Sequence, residues 1–167
     1  ISGVLATGKT SSYRVGKVLF TQLSRPLKEI IREINVESNN HYAEHLIRTV
    51  GRQYKTDIYD NALLAGTDYV ADYWKRKGID ITSLTMHDGS GLAPQNAVSA
   101  RLFTDMLSYM YNKSSYSAAF INSLPKAGQD GTLRNFMSNT KYNGKIIAKS
   151  GSIGGVQCYA GYLIDGD

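Results

Sequence analysis

"KIIAKSGSIGGVQCYAGYLI", residues 145–164, contains two runs of strand-forming residues separated by a pair of glycines. The runs, 145–153 and 156–164, carry the β-branched and aromatic residues that are typical of strands. Gly154 and Gly155 form the two-residue connection that antiparallel hairpins favour. The stretch therefore predicts an antiparallel β-hairpin near the carboxyl end of the chain.

Upstream of this hairpin, apolar residues recur at helical spacing in several segments. The pattern i, i+3, i+4, i+7 gives each segment one apolar face, and Gly51 is expected to end the second of them. The predicted helices are 24–35, 41–50, about 60–77, one that Ser99 caps, and about 116–123. A short strand is predicted at 17–23. This order indicates a mixed α/β (α+β) domain, in which helices flank a mainly antiparallel sheet.

The composition is that of an ordinary folded domain. The 167 residues, of which 42% are hydrophobic and 20% charged, suit one domain with its own core. No apolar run approaches the roughly 18 residues of a membrane-spanning helix. The net charge of +5 is scattered along the chain, so we expect no nucleic-acid partner.

Cysteine and histidine spacing gives no sign of a metal or cofactor site. Cys158 is the single cysteine of the sequence and has no internal disulfide partner. His41 and His45 lie in "HYAEH", which lacks the H-E-x-x-H frame and the third ligand of a zinc site. We therefore expect no metal and no cofactor. The chain starts at Ile1 and stops just after a predicted strand, and we interpret it as a piece of a longer protein.

"GVLATGKT", residues 3–10, matches the phosphate-binding loop pattern G-x-x-x-x-G-K-[ST]. Such a loop works by joining a buried strand to a helix whose N-terminus holds the phosphates. Two residues precede Gly3, and the polar residues that follow Thr10 do not form an amphipathic helix. We interpret the segment as a turn or hairpin loop and expect no nucleotide binding.

Two short polar motifs occur in an order that suits acyl-transfer chemistry. "SNN", residues 38–40, lies at the break between two predicted helices, and "KSG", residues 149–151, lies in the first strand of the hairpin. Each is weak alone, because Ser38 is also a natural helix N-cap and K-S-G is compatible with an exposed edge strand. Together they follow the order S-x-N and then K-[ST]-G of serine acyl-transferases.

From about residue 18 to its end, the chain resembles the C-terminal portion of class C low-molecular-mass penicillin-binding proteins. This group comprises D-alanyl-D-alanine carboxypeptidases/endopeptidases of the penicillin-binding protein 4 type. The matching blocks are "SRPLKEIIREINVESNNHYAEHLIRTVG", "HDGSGLAPQNAVSARLF", "LPKAGQDGTL" and "KSGSIGGVQCYAGYLI". The resemblance implies an incomplete serine β-lactamase/transpeptidase-like fold. Residues 17–167 would be the C-terminal part of that domain, and residues 1–16 the tail of an upstream or inserted segment.

The resemblance also implies catalytic roles for Ser38, Asn40 and Lys149. Lys149 would supply a positive field, and Ser38 would relay a proton between lysines and the leaving amine. Asn40 would hydrogen-bond the amide of the substrate.

Substrate binding would fall on Ser150, Gly151 and Ser152. Ser150 replaces the threonine that is usual in this motif but keeps its hydroxyl, which would bind the terminal carboxylate. The N–H of Ser152 would be one oxyanion donor.

The nucleophile motif of the family, S-x-x-K, precedes S-x-N, but no such motif lies before Ser38. "SLPK", residues 123–126, and "SNTK", residues 138–141, come later, and neither resembles the start of a buried helix. Ser90 in D-G-S-G is interpreted as part of a tight turn. We expect the nucleophile upstream of this chain, and we expect the chain alone to be inactive.

The expected activity is hydrolysis of peptidoglycan stem peptides ending in D-Ala-D-Ala, with β-lactam binding, in the periplasm or another extracytoplasmic location. A further expected partner is the missing N-terminal part of the same protein. The alternatives are a non-catalytic peptidoglycan-binding relative that lacks the nucleophile, a phosphate-loop NTPase and a generic β-lactamase.

Overall fold

A computed structural model describes residues 19–54 and 61–164 and contains five α-helices, a short 3₁₀ helix and a hairpin. The helices are α1 (Leu27–Glu37), α2 (Asn40–Tyr54), α3 (Ala62–Arg76), α4 (Ala100–Asn112), α5 (Ser117–Ser123) and the 3₁₀ helix Gly131–Leu133. The strands are β1 (Ile146–Ile153) and β2 (Val156–Leu163). The α+β class with helices against an antiparallel sheet is therefore confirmed.

The predicted hairpin is confirmed, with Gly154 and Gly155 as its turn. β1 pairs antiparallel with β2, from Ile146 opposite Leu163 to Ile153 opposite Val156. Both turn glycines have positive φ angles, which glycine adopts without steric cost.

The five predicted helices are present, and side chains cap two of them, α4 as predicted and α3 in addition. Ser99 Oγ accepts the N–H of Leu102 at 3.1 Å at the start of α4. Asn61 Oδ1 accepts the N–H groups of Leu63 and Leu64 at the start of α3. Such caps satisfy backbone donors that no helical carbonyl reaches.

The expectation that Gly51 ends the second helix is wrong, because α2 continues to Tyr54. Gly51 is buried where α2 meets α3, and a Cβ placed there would lie 1.9 Å from the carbonyl oxygen of Ala62. A Cβ on Gly66 of α3 would lie 2.2 Å from the carbonyl oxygen of Ile47. The two glycines therefore allow a close backbone approach between the helices.

The predicted strand at 17–23 is wrong over its described part, because residues 19–23 form neither strand nor helix. Residues 17 and 18, the proposed upstream tail 1–16 and the phosphate-loop-like segment 3–10 lie outside the described residues.

The core lies where the segment 124–133 crosses the start of β1. Ala127 N–H donates to the carbonyl of Ile146 at 2.8 Å, and Ala148 N–H donates to the carbonyl of Pro125 at 3.1 Å. Leu133 and Ala127 have no exposed surface. This crossing fixes the register of β1 against the loop that precedes it.

Helices α4 and α5 contact the hairpin at Tyr162 of β2. The Tyr162 hydroxyl donates to the carbonyl of Leu107 in α4 at 2.8 Å, and its ring meets Phe120 of α5 edge to face. α1 packs on α5, where Asn35 Nδ2 donates to Ser123 Oγ at 2.8 Å. None of the helices within residues 19–54 and 61–164 has the length and apolar character of a membrane-spanning segment.

Candidate active site

Ser38 lies at the break between α1 and α2, in a conformation that few residues other than glycine adopt. It caps the C-terminus of α1 with φ 57° and ψ 46°, which is the left-handed region. The N-cap of α2 is Asn39, whose Oδ1 accepts the N–H of Tyr42 at 3.1 Å. The alternative interpretation of Ser38 as an N-cap is therefore wrong, and its hydroxyl is available for another contact.

The Ser38 hydroxyl meets the lysine of the K-S-G motif. Lys149 Nζ donates to Ser38 Oγ at 2.9 Å, across 111 residues of sequence. It also donates to the carbonyl of Ser150 at 2.5 Å. The two motifs that the sequence singled out are thus joined by a charge-assisted hydrogen bond.

Lys149 is half-buried, and burial lowers the pKa of its ammonium group from the ordinary lysine value. The thiol of Cys158 on the neighbouring strand, in its charged form, acts on the Lys149 pKa in the opposite direction. Less water screens the charge of a half-buried ammonium, so this charge acts more strongly on groups bound beside it.

Asn40 begins α2 and is exposed. Within the described part of the chain, no hydrogen bond links its side chain to Ser38, Lys149 or Ser150. The structure thus brings Ser38, Lys149 and Ser150 together and leaves Asn40 beside them, two residues after Ser38.

Ser150 is oriented by a residue of the 3₁₀ helix. Its hydroxyl donates to Thr132 Oγ1 at 2.7 Å. Thr132 belongs to the block "LPKAGQDGTL", whose resemblance to the family assigned no role to the threonine. The signal available in the sequence was a small hydroxyl residue inside a matched block.

The backbone of Ser150 and Ser152 faces the open edge of β1. The N–H of Ala148 points away from β2, since it donates to Pro125. N–H directions alternate along a strand, so the N–H groups of Ser150 and Ser152 point the same way. Beyond Ala148, this edge has no strand partner among residues 19–54 and 61–164.

Gly151 lies opposite Cys158 on β2. A Cβ at Gly151 would lie 2.8 Å from the Cys158 sulfur. Any larger residue at this position would displace the cysteine side chain on the face that also carries Lys149.

The D-G-S-G-L loop is attached to α2 one turn after Asn40. Glu44 Oε1 accepts the N–H groups of Gly89 and Ser90, each at 3.0 Å. Asp88 closes the loop internally, with its Oδ1 accepting the N–H of Gly91 at 2.7 Å. Hydrogen bonds to Asn96 and to backbone N–H groups outweigh burial and lower the Asp88 pKa, although burial is the largest single influence and raises it. Glu44 has no recognisable motif, because its contact lies 45 residues away in the sequence.

The other S-x-x-K serines have structural contacts. Ser123 is buried, donates to the carbonyl of Phe120 at 2.6 Å and accepts from Asn35. Ser138 Oγ donates to the carbonyl of Asn135 at 3.4 Å. These contacts hold the hydroxyls within turns and helix ends. In the described ranges, no cluster of His, Cys, Asp and Glu is arranged to hold a metal ion.

Comparison with known proteins identifies the family of this chain. The sequence profile of the D-Ala-D-Ala carboxypeptidase 3 (S13) family matches residues 1–167. This chain belongs to that family. It is 31% identical over 161 residues to a D-alanyl-D-alanine carboxypeptidase of Actinomadura sp. (strain R39), covering 93% of this chain and 29% of the relative.

It is also 30% identical over 150 residues to the D-alanyl-D-alanine carboxypeptidase DacB of Haemophilus influenzae, covering 89% of this chain and 31% of the relative. A crystal structure of penicillin-binding protein 4 (dacB) from Haemophilus influenzae, complexed with a β-lactam, is similar with a TM-score of 0.79 and 29% identity. That match covers 90% of this chain and 34% of the other. The chain thus spans about a third of the length of these relatives.

Proposed function

We propose that this chain is the C-terminal part of a serine D-Ala-D-Ala carboxypeptidase/endopeptidase of the cell envelope. The longer protein would hydrolyse peptidoglycan stem peptides through an acyl-enzyme and would be acylated by β-lactams. Its location would be periplasmic or otherwise extracytoplasmic. The observation that carries the proposal is the 2.9 Å contact between Lys149 Nζ and Ser38 Oγ, which links S-x-N to K-S-G.

The proposed role of Ser38 is proton transfer. Because its oxygen accepts from Lys149, the Ser38 hydroxyl keeps its own proton for a second partner. A hydroxyl in this position can give its proton to the leaving D-alanine amine while its oxygen takes a proton from a neighbouring lysine ammonium, so that the hydroxyl is regenerated. Asn40 would hydrogen-bond the substrate amide from the start of α2.

The proposed role of Lys149 is electrostatic. Its half-buried charge would disfavour protonation of a second lysine nearby, which could then act as base for the serine nucleophile. The same charge would attract the terminal carboxylate of the substrate. The lowered pKa of Lys149 is consistent with a position that water reaches only in part.

The open edge of β1 would bind the substrate backbone. An extended stem peptide can add to such an edge as a strand, while the Ser150 side chain meets its carboxylate. The N–H of Ser152 would donate to the oxyanion, and the nucleophile's own N–H would be the second donor. Loss of one such donor typically costs about 3 kcal/mol of transition-state stabilisation. Gly151, which lies between Ser150 and Ser152, would allow β1 to lie close to the Cys158 side chain of β2.

The nucleophile, in this proposal, lies upstream in the longer protein. Support comes from the relatives, which are about three times as long as the matched region, and from the structural contacts of Ser123 and Ser138. The upstream part of the same protein would then be the main partner of this chain. No cofactor, nucleotide or nucleic acid enters the proposed reaction.

The test is the intact mass of the full-length protein after exposure to benzylpenicillin. We expect one covalent adduct, which peptide mapping assigns to the serine of an upstream S-x-x-K. An adduct on Ser90, Ser123 or Ser138 would contradict the proposed order of motifs. No adduct at all would instead favour a non-catalytic peptidoglycan-binding relative.

Matched variants distinguish the loss of proton transfer by Ser38 from a nonspecific effect of removing a serine hydroxyl. Ser38→Ala should slow hydrolysis of a D-Ala-D-Ala peptide by roughly 10²- to 10⁴-fold, which is the usual contribution of a positioned proton-transfer group. Ser115→Ala, which removes the same atom from an exposed turn, should leave the rate unchanged. Equal rates for the two variants would remove Ser38 from the mechanism.

A further inference from the structure

We propose that Thr132 is a further substrate-binding residue, which shares with Ser150 the recognition of the substrate's terminal carboxylate. The inference rests on the proposed function. The geometry behind it is the 2.7 Å hydrogen bond between the Ser150 and Thr132 hydroxyls at an exposed position.

In the hydrogen-bonded pair of Ser150 and Thr132, one of the two hydroxyl protons is available to a ligand. Each hydroxyl has one proton and two lone pairs. Ser150 uses its proton in the bond to Thr132, and among the described residues the Thr132 hydroxyl has no acceptor for its own. The pair therefore offers an outward O–H at Thr132 as well as the hydroxyl of Ser150, which can rotate toward a ligand.

A carboxylate matches this pair chemically. It has two oxygens, each of which accepts hydrogen bonds, and hydrogen bonds to an ionised acceptor are stronger than neutral ones. The ammonium group of Lys149 lies beside the pair, since its Nζ contacts the carbonyl of Ser150. One oxygen would take the free proton of Thr132, and the Ser150 hydroxyl would turn its proton from Thr132 to the other oxygen.

Thr132 is held in place by its neighbours on both sides. Gly131 touches α1, where a Cβ would lie 2.3 Å from the carbonyl oxygen of Val36, and Leu133 is fully buried. Asp130 accepts from the N–H of Lys126 at 2.5 Å and from Arg32 at 3.1 Å. A donor on such a fixed segment loses little freedom when the ligand binds.

The experiment compares two ligands that differ in the carboxylate alone, with the full-length protein. Thr132→Val keeps the shape and removes the hydroxyl. It should lower the acylation rate constant by benzylpenicillin by about 10-fold or more, because a hydrogen bond to a charged group is lost. With the penicillin carboxamide, the variant and the wild type should react at similar rates. Thr132→Ser should restore most of the rate with benzylpenicillin.

Thr104→Val is the control, because Thr104 is exposed and its hydroxyl donates to its own helix, to Arg101. It should leave both rates unchanged. Equal losses of Thr132→Val on the acid and the amide, or no loss on either, would overturn the inference and reduce Thr132 to a structural residue.

If the wild type is not acylated, the proposed function fails separately. Carboxylate recognition is then measured as the Kd of an acetylated D-Ala-D-Ala peptide and of its C-terminal amide. The acid should bind more weakly to Thr132→Val than to the wild type, and the amide equally to both. Any other pattern contradicts the role of Thr132.

Discussion

Adding one methyl group at Gly131 should disturb both halves of the candidate site. Gly131 has φ 52°, and a Cβ there would lie 2.3 Å from the carbonyl oxygen of Val36 and 2.6 Å from its Cγ1. Ordinary contact begins at 3.4 Å, so Gly131→Ala must separate the 3₁₀ helix from α1 by about 1 Å. α1 leads directly into Ser38, and the residue after Gly131 is Thr132. The variant therefore moves the two halves of the site relative to each other.

Two effects add up in this variant, and a control separates them. Alanine in the left-handed region costs about 1–2 kcal/mol, and overpacking a fixed site costs about 1–3 kcal/mol more. Gly78 has φ 79°, and a Cβ added there would have nothing within 4 Å, so Gly78→Ala should show the first cost alone. The additional destabilisation expected for Gly131→Ala, about 1–3 kcal/mol, corresponds to roughly 5- to 150-fold in an equilibrium constant.

The assay is native-state hydrogen exchange on the full-length protein, followed by mass spectrometry of peptides. Local opening free energies set these exchange rates. Gly131→Ala should accelerate exchange in peptides that cover 124–136 and 31–38, and it should slow acylation by a fluorescent penicillin. Gly78→Ala should accelerate exchange around its own turn and leave acylation unchanged.

Two results would refute this reasoning. If the two variants accelerate exchange in their own segments equally, the contact between Gly131 and Val36 contributes no measurable steric cost. If Gly131→Ala disturbs 124–136 strongly while acylation is unaffected, the position of the 3₁₀ helix does not control the site.

Two further variants test Lys149 and Glu44. Because burial lowers the Lys149 pKa, its charge is lost at a lower pH than in free lysine, and acylation should decline as the pH rises through that pKa. Lys149→Arg stays charged, so the decline in the pH profile of kcat/KM should move to higher pH, at a lower maximum. Glu44→Ala leaves the N–H groups of Gly89 and Ser90 without their acceptor. Each of these donors that stays buried should lower the free energy of unfolding by about 1–3 kcal/mol. Limited proteolysis in loop 87–96 should accelerate, whereas Glu44→Gln, which keeps an acceptor oxygen, should resemble the wild type.

Local chemistry explains which parts of the fold the sequence could predict. The hairpin could be predicted because Gly154 and Gly155 form a two-residue turn, and the length of the turn sets the register of the two strands. The start of α4 could be predicted because the Ser99 side chain caps a backbone N–H three residues later, that of Leu102. Both signals lie within a few residues of the structure that they specify.

Features set by distant contacts were misjudged. Gly51 has the sequence features of a helix end, but it lies within α2, where the absence of a side chain allows the backbone of α3 to pack closely. Residues 17–23 have the composition of a strand, but strand formation depends on a partner. Leu19 and Phe20 are 94% and 79% exposed, and no described strand pairs with them.

The candidate site shows the same division between local and distant information. Ser38, Lys149 and Ser150 were recognised from short motifs whose order matches a known chemistry. Thr132 and Glu44 were missed because their contacts span 18 and 45 residues of sequence. Short motifs carry local information, whereas the contacts of Thr132 and Glu44 become visible only when distant segments pack together.

The conformation of Ser38 supports the role proposed for its hydroxyl. A serine at φ 57° carries a strain that glycine would avoid. Glycine would therefore suit the junction between α1 and α2 better on conformational grounds. It would, however, provide no oxygen for Lys149, whose Nζ would lose one of its two acceptors. Strain at a position whose hydroxyl contacts a half-buried charge is expected where a side chain is kept for a reaction.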